Sequence, residues 1–288
     1  MTPRVTTVDV TVDADLKEFC ITPLSDLHIE SRDFGNDEFQ AFLRKRNTLP
    51  GHRAFIIGDA MDLVVPVDMK RWTASCQDQR ISGRDDWLNE ALDIATERLT
   101  ESGTQIDLIG PGNHELEFRK RHGFDTTSVL AHSLGCARGG YSGYMQYRVK
   151  LPIGKKTATV GMFRIAYHHG AWGGRLVKGF GGARDWFRCF DSWNIAVYGH
   201  NHQSTVHRET KLRPAQNGSL CEYPVYYVCC GAWVESYTQD AARTHYSERA
   251  GHMPTSRQSP LIRMRVTNHG GGHTKTLRGQ QLQYTVEM

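Results

Sequence analysis

Five short apolar runs, each stopping in a cluster of histidine, aspartate or asparagine, constrain this chain more than any other feature. Phe19-Cys20-Ile21 leads to Asp26 and His28, Phe55-Ile56-Ile57 to Gly58-Asp59 and Asp62, and Ile106 to Ile109 to Gly112-Asn113-His114-Glu115. Thr159 to Tyr167 then runs into His168-His169-Gly170, and Ile195 to Tyr198 into Gly199-His200-Asn201-His202. Runs this short, rich in β-branched and aromatic residues, read as buried strands. Between the first three lie helical patterns, Asp37 to Arg46 and Asp86 to Leu99, the latter with Trp87, Leu88, Ala91, Leu92, Ala95 and Leu99 on one face. Strand, helix and strand in alternation predict a layered α/β core. In such cores ligands gather beyond the carboxyl ends of strands, where all five clusters fall.

The second half reads as richer in strands: Tyr144 to Leu151, Ser204 to His207, Val225 to Val228, Leu261 to Val266 and Leu282 to Val286. A second sheet packed on the first is therefore expected, with Gly270-Gly271-Gly272 as a turn. No repeat, linker or low-complexity tract divides the 288 residues, so one domain spanning 1–288 is expected, with a motif core over 18–205. A hydrophobic fraction of 39% against 23% charged residues excludes a disordered chain or a coiled coil. No apolar run reaches the roughly 18 residues of a membrane span, and the first residues are polar where a secretory signal needs an apolar stretch. A cytoplasmic protein without membrane contact is expected. Seven cysteines without C-x-x-C spacing argue for reduced thiols rather than a disulfide framework or zinc ribbon. The formal net charge of +4 permits an anionic substrate without marking a dedicated nucleic-acid binder.

Chance does not account for the clusters. In a chain with 18 Asp, 14 His, 8 Asn and 28 Gly, Asp-x-His arises by accident about 0.9 times but Gly-Asn-His-Glu only about 0.002 times. With Gly-Asp-x-x-Asp and Gly-His-x-His added, the joint expectation is roughly one in 10⁵. Oxygen and imidazole donors without thiolate suit Mn, Fe, Zn or Ni, and a shared carboxylate can bridge two cations about 3.5–4 Å apart.

The ordered series Asp26-x-His28, Gly58-Asp59-x-x-Asp62, Gly112-Asn113-His114-Glu115, a histidine before Gly170, and Gly199-His200-x-His202 resembles the calcineurin-like metallophosphoesterases. The resemblance implies an α/β fold in which a two-sheet β-sandwich is flanked by helices in four layers. It implies two divalent metal ions, Mn²⁺ foremost, with Fe, Zn or Ni also accepted. Asp26, His28 and His202 would hold one, Asn113, His169 and His200 the other, and Asp59 would bridge; His168 stands as the alternative to His169. His114, positioned by Asp62, would act on the leaving oxygen, with Glu115 in support. The implied reaction is in-line hydroxide attack on a phosphoester at the dinuclear site, without an organic cofactor.

Protein phosphatases of that superfamily carry an arginine after the second aspartate of the Gly-Asp motif, where this chain has Leu63. A phosphodiester substrate, nucleotide or nucleic acid foremost, is therefore expected, with no obligate protein partner. The alternatives are a phosphomonoesterase on small molecules or phosphoprotein, and a non-catalytic metal-binding scaffold. Val64 to Arg84 and Gly170 to Gly182 resemble a phage or prophage branch, which would place the protein in the host cytoplasm. Lys70, Arg71, Arg175 and Lys178 are candidate phosphate contacts, and Arg119-Lys120-Arg121-His122 is a candidate steering cluster or a solvated helix face. Trp172, Trp186 and Trp233 read as packing residues before base-stacking ones. His245, His252, His269 and His273 lie outside the ordered motifs.

Overall fold

The central strand of the first motif is apolar on both faces, and a sheet must grow around it with cover on each side. The computed structural model describes residues 4–13, 15–65, 76–172, 179–214, 218–237, 248, 253–268 and 280–288. Gly270 to Gly272, Lys70, Arg71, Arg175, Lys178, His245, His252, His269 and His273 lie outside the described residues. In chain order the elements are β1 (Arg4–Thr11), β2 (Glu18–Leu24), α1 (Asn36–Asn47), β3 (Arg53–Ile56), α2 (Trp87–Thr100), β4 (Gln105–Ile109), α3 (Asn113–His122) and α4 (Thr126–Ser133). There follow β5 (Ala137–Arg138), β6 (Ser142–Ile153), β7 (Lys156–His168), α5 (Phe180–Phe187), β8 (Ile195–Tyr198), β9 (Thr205–Pro214), β10 (Leu220–Cys229), β11 (Leu261–Asn268) and β12 (Gln280–Glu287).

Two mixed six-stranded sheets result, ordered β1-β6-β7-β8-β10-β9 and β12-β11-β2-β3-β4-β5. The strands feeding the motifs run parallel, β2 with β3 and β3 with β4 in one sheet, and β7 with β8 in the other. The last third of the chain is shared between both sheets, β9 and β10 extending one and β11 and β12 the other. The alternation of strand side chains sorts them into layers. Phe55 and Ile57 of the β3 segment join Phe19, Ile21, Met145, Tyr147, Phe163, Ile165, Ile195 and Val197 in the core between the sheets. Their neighbours Ala54 and Ile56 face outward onto Phe39 and Leu43 of α1 and Ala91, Ile94 and Ala95 of α2. On the other sheet Ala196, Tyr198 and Tyr227 face Ala183 and Phe187 of α5. The order is helix, sheet, sheet, helix, the α/β sandwich expected from the sequence.

Three helices carry no clear sequence signal. In α3 only Glu115 and Phe118 are buried, so it lacks an apolar stripe, and α4 is only eight residues long. The glycine-rich stretch that ends at Gly182 turns helical from Phe180, although glycine opposes helix formation. Packing explains Gly182: a Cβ there would stand 2.5 Å from Cδ1 of Trp172, which lies against the helix. All seven cysteines are free thiols, Cys229 and Cys230 buried. Among the described residues no helix is long and apolar enough to cross a membrane.

Candidate metal centre

The five motif loops leave the carboxyl ends of β2, β3, β4, β7 and β8 and interlock. The loop after β2 keeps pairing with the loop after β3 beyond the regular strands: Asp26 N–H donates to Gly58 O at 3.1 Å, and Leu27 and His28 donate to Asp59 O at 2.8 and 3.1 Å. His200 N–H reaches Asp26 Oδ2 at 2.8 Å, tying the second sheet to the first, and within the second sheet Gly199 N–H donates to His169 O at 2.8 Å. The backbone is forced to make these contacts. Asp26, His28, Asp59, Leu63, His200 and His202 all hold positive φ, between 49° and 70°. Such left-handed conformations cost about 1–2 kcal/mol per residue and gather where surrounding structure over-determines a working site.

Two triads of donor atoms result, Asp26 with His28 and His202, and Asp59 with His169 and His200, each within 4.8 Å; a third, His28 with Asp59 and His114, lies between them. His202 Nε2 is 3.4 Å from Asp26 Oδ1, and His169 Nε2 is 3.1 Å from Asp59 Oδ2. Asn113 Oδ1 joins the second triad, 3.0 Å from His169 Nε2 and 2.8 Å from His200 Nδ1. All seven expected ligands therefore converge. The structure turns His169, not His168, into the site. His168 packs its ring against Trp172, Trp186 and Tyr141, and its Nδ1 accepts the Gly170 N–H at 2.9 Å. Trp233 packs its ring on Phe39 and Phe42, while its backbone N–H donates to Asp26 O at 3.1 Å.

The donor set fits divalent cations. Asp26 Oδ1 and His28 Nε2 are buried without a well-formed hydrogen bond, a condition native interiors avoid unless an ion or water completes it. Among the described residues the side chains of these donor groups offer oxygen or imidazole nitrogen and no thiolate. Asp62 sits beneath, its carboxylate 3.1 Å from His28 Nδ1 and 3.2 Å from His114 Nδ1. The His114 Nδ1 also bonds to the Asp62 carbonyl, and His114 Nε2 lies 3.9 Å from Asp59 Oδ2.

Two buried glutamates hold the loop after β3 in its unusual shape. Glu115 accepts the N–H groups of Asp59, Met61 and Gly112 at 3.1, 3.0 and 2.8 Å. Glu30, which belongs to none of the sequence motifs, accepts those of Asp62 and Leu63 at 3.0 and 2.6 Å. Neither carboxylate points at the donor triads; each positions backbone that does.

Charge in this pocket is crowded. Burial and the neighbouring Asp59 push Glu115 up to about 7, and burial and Asp62 do the same to Glu30. Burial would raise Asp26 too, but the His202 ring beside it holds it at about 2. Burial opposes charge on His169, yet Asp59 lifts that ring to about 9. Opposing pH windows follow for the metal-free chain. Asp26 contributes stability above its unfolded value of 3.8, lost as pH falls toward 2. The two glutamates contribute stability that is full below 4.5 and lost as pH rises through 7; the His169 contribution is full below 6.5 and lost through 9. Chelated protein is therefore expected to melt at a lower temperature at pH 8 than at pH 5, and saturating Mn²⁺ at pH 8 to restore the difference, since a ligand of the folded state stabilises it. Calorimetry across pH with and without chelator checks this; a flat profile without metal would refute it.

No protein-family model and no curated protein matches the sequence. Among solved structures the chain is similar to Vps29 complexed with Zn²⁺ from Entamoeba histolytica, at 11% identity over 93% of this chain and 98% of that one, with a TM-score of 0.35. It is similar to Chaetomium thermophilum Vps29 at 11% identity, over 93% and 96% of the two chains, TM-score 0.33. A predicted phosphoesterase from Streptococcus pneumoniae aligns at 13% identity over 87% and 84%, TM-score 0.30.

Proposed function

We propose that this chain is a metal-dependent phosphoesterase that hydrolyses a phosphodiester, with Asp26, His28 and His202 holding one divalent cation, Asn113, His169 and His200 the other, and Asp59 between them. The observation that carries the reading is that the Asp26-His28-His202 triad and the Asp59-His169-His200 triad are joined through a third donor group, His28 with Asp59 and His114. Two bound cations, Mn²⁺ foremost, would supply an activated water and neutralise charge on the phosphoryl oxygens.

The protein's own part is positioning and proton transfer. His114 begins α3 with its backbone N–H on Asp59 Oδ1 at 2.9 Å, so helix and bridging carboxylate move as one. Asp62 grips Nδ1 of His114, which fixes the ring and turns Nε2 toward the site, and a proton held there can pass to the leaving oxygen. Leu63 leaves the phosphoryl group without the arginine of the protein phosphatases, which supports a diester, a nucleotide ester foremost, over a phosphoprotein.

Turnover of bis-p-nitrophenyl phosphate beside p-nitrophenyl phosphate, with Mn²⁺ or chelator, tests the reading. The expected result is metal-dependent hydrolysis that favours the diester and falls about 10²-fold in His114→Ala. Silence toward both esters, in protein shown to carry two cations, would overturn it.

A further inference from the structure

Beside His114 a shallow groove, open to solvent, runs between the loop after β3 and the exposed side of α3. Asp62 and His114 form its inner end, and Leu63, Val65 and Phe118 its floor. Leu63 and Phe118 are 6% and 5% exposed, so the floor is fixed by the core beneath it. Phe118 is clamped from both sides, by Trp87 with ring centres 5.9 Å apart and by His122 at 4.4 Å. The outer rim carries Glu117 and Arg121, whose charges meet at 2.7 Å and cancel.

We propose that this groove is the subsite for an uncharged planar substituent of the phosphoester, an aryl group or a nucleobase, on the leaving-group side. The inference rests on the phosphoesterase reading and narrows its substrate class. The groove is continuous with the ring that faces the leaving oxygen in that reading, so it offers a substituent on that oxygen a path out. Its floor is apolar and its aromatic side chains are already ordered, which lowers the cost of seating a flat ring. A second phosphate in the same place would meet Asp62 and Glu117, and the lining arginine, Arg121, is engaged with Glu117. The substrate running this way is an aryl or nucleoside ester, not a polyphosphate. Leu63 thereby acquires a role: at the position where a phosphatase arginine would grip an anion, it supplies floor for a ring.

Calorimetric titration of Mn²⁺-loaded protein with phenylphosphonate and methylphosphonate, neither hydrolysable, tests the groove apart from turnover. The wild type is expected to bind the phenyl compound about tenfold more tightly, the value of burying one ring face. In Leu63→Ser that preference should shrink to about threefold or less. Should Leu63→Ser fail to fold, His122→Ala, at an exposed position, should weaken the preference in the same direction. Equal affinity for both phosphonates in the wild type, or a preference untouched in the folded variants, would overturn the groove and leave the phosphoesterase reading standing. Binding of neither phosphonate by protein carrying both cations would overturn that reading itself.

Discussion

Replacing Asp59 by asparagine is expected to abolish diester hydrolysis, by at least about 10³-fold, while leaving the fold in place. The size follows from what the carboxylate does. It is 1% exposed, lies in two of the three donor groups and pairs with His169 at 3.1 Å. Its own ionisation is secured by the site: burial pushes it toward the neutral acid, but His169 and His114 hold it well below the ordinary carboxylate range. In the proposed two-cation site a neutral amide would leave the charge unbalanced, and the stabilisation lost would be several kcal/mol, with each factor of ten in rate worth about 1.36 kcal/mol. Asparagine nonetheless keeps an oxygen for the His114 N–H, so α3 retains its start. Metal analysis should therefore find fewer than two cations per chain in a variant whose circular dichroism matches the wild type. A variant retaining both cations and turning over within tenfold of the wild type would remove Asp59 from the bridging position.

How much of this is legible in the residues depends on the range over which each one acts. The candidate ligands are legible because strand and donor residue are neighbours in sequence, so that Phe55-Ile56-Ile57 predicts a strand and Gly58-Asp59 says what waits at its end. Strand β2 and helix α2 are legible for the same reason, since burial over seven consecutive residues or along one helical face leaves a local pattern. Glu30 is illegible because its partners, the N–H groups of Asp62 and Leu63, lie more than thirty residues on. Strand β1 pairs with β6 across nearly 140 residues, and its alternating valines carry no mark of that partner. Between the adjacent His168 and His169 only the resemblance, with its histidine directly before the glycine, favours His169. The choice is made by alternation at the end of β7, which sends one ring to Trp186 and the next to Asp59.

The strained backbone has the same origin. Strand pairing alone would carry β2 and β3 out past each other as extended chains. Instead the loops fold back at Asp26, His28 and Asp59, each at positive φ, so that successive side chains converge rather than alternate. Polar residues tolerate that conformation better than branched ones, which suits the motifs to ligand-bearing side chains at these positions. Glu30 and Glu115 secure the loop after β3 by accepting N–H groups that the turned backbone leaves without a strand partner.

A methyl group at Gly112 is expected to reduce diester turnover at least as far as His114→Ala does, and to lower stability as well. The glycine is not required for its conformation: φ of −100° and ψ of −161° are open to any residue. It is required for space. A Cβ at this position would overlap Asp59 Oδ1 and Asp59 N and stand 2.7 Å from Asp59 Cγ. The obstacle includes backbone, and that backbone is tied to the same Glu115 carboxylate that accepts the Gly112 N–H, so neither side can yield alone. The methyl would drive the start of α3 away from the loop after β3 and carry Asn113 and His114 with it. Overpacking of this kind costs about 1–3 kcal/mol, and a displacement of about 1 Å in reacting groups costs about 10²-fold in rate. Gly123, at the other end of α3, supplies the contrast. It adopts φ of +70° with nothing within 4 Å of where a Cβ would sit, so Gly123→Ala should cost about 1 kcal/mol in melting experiments and nothing in turnover. Wild-type turnover in Gly112→Ala would mean that the two loops are not held in register through this contact, and the coupling of α3 to the bridging carboxylate would have to be abandoned.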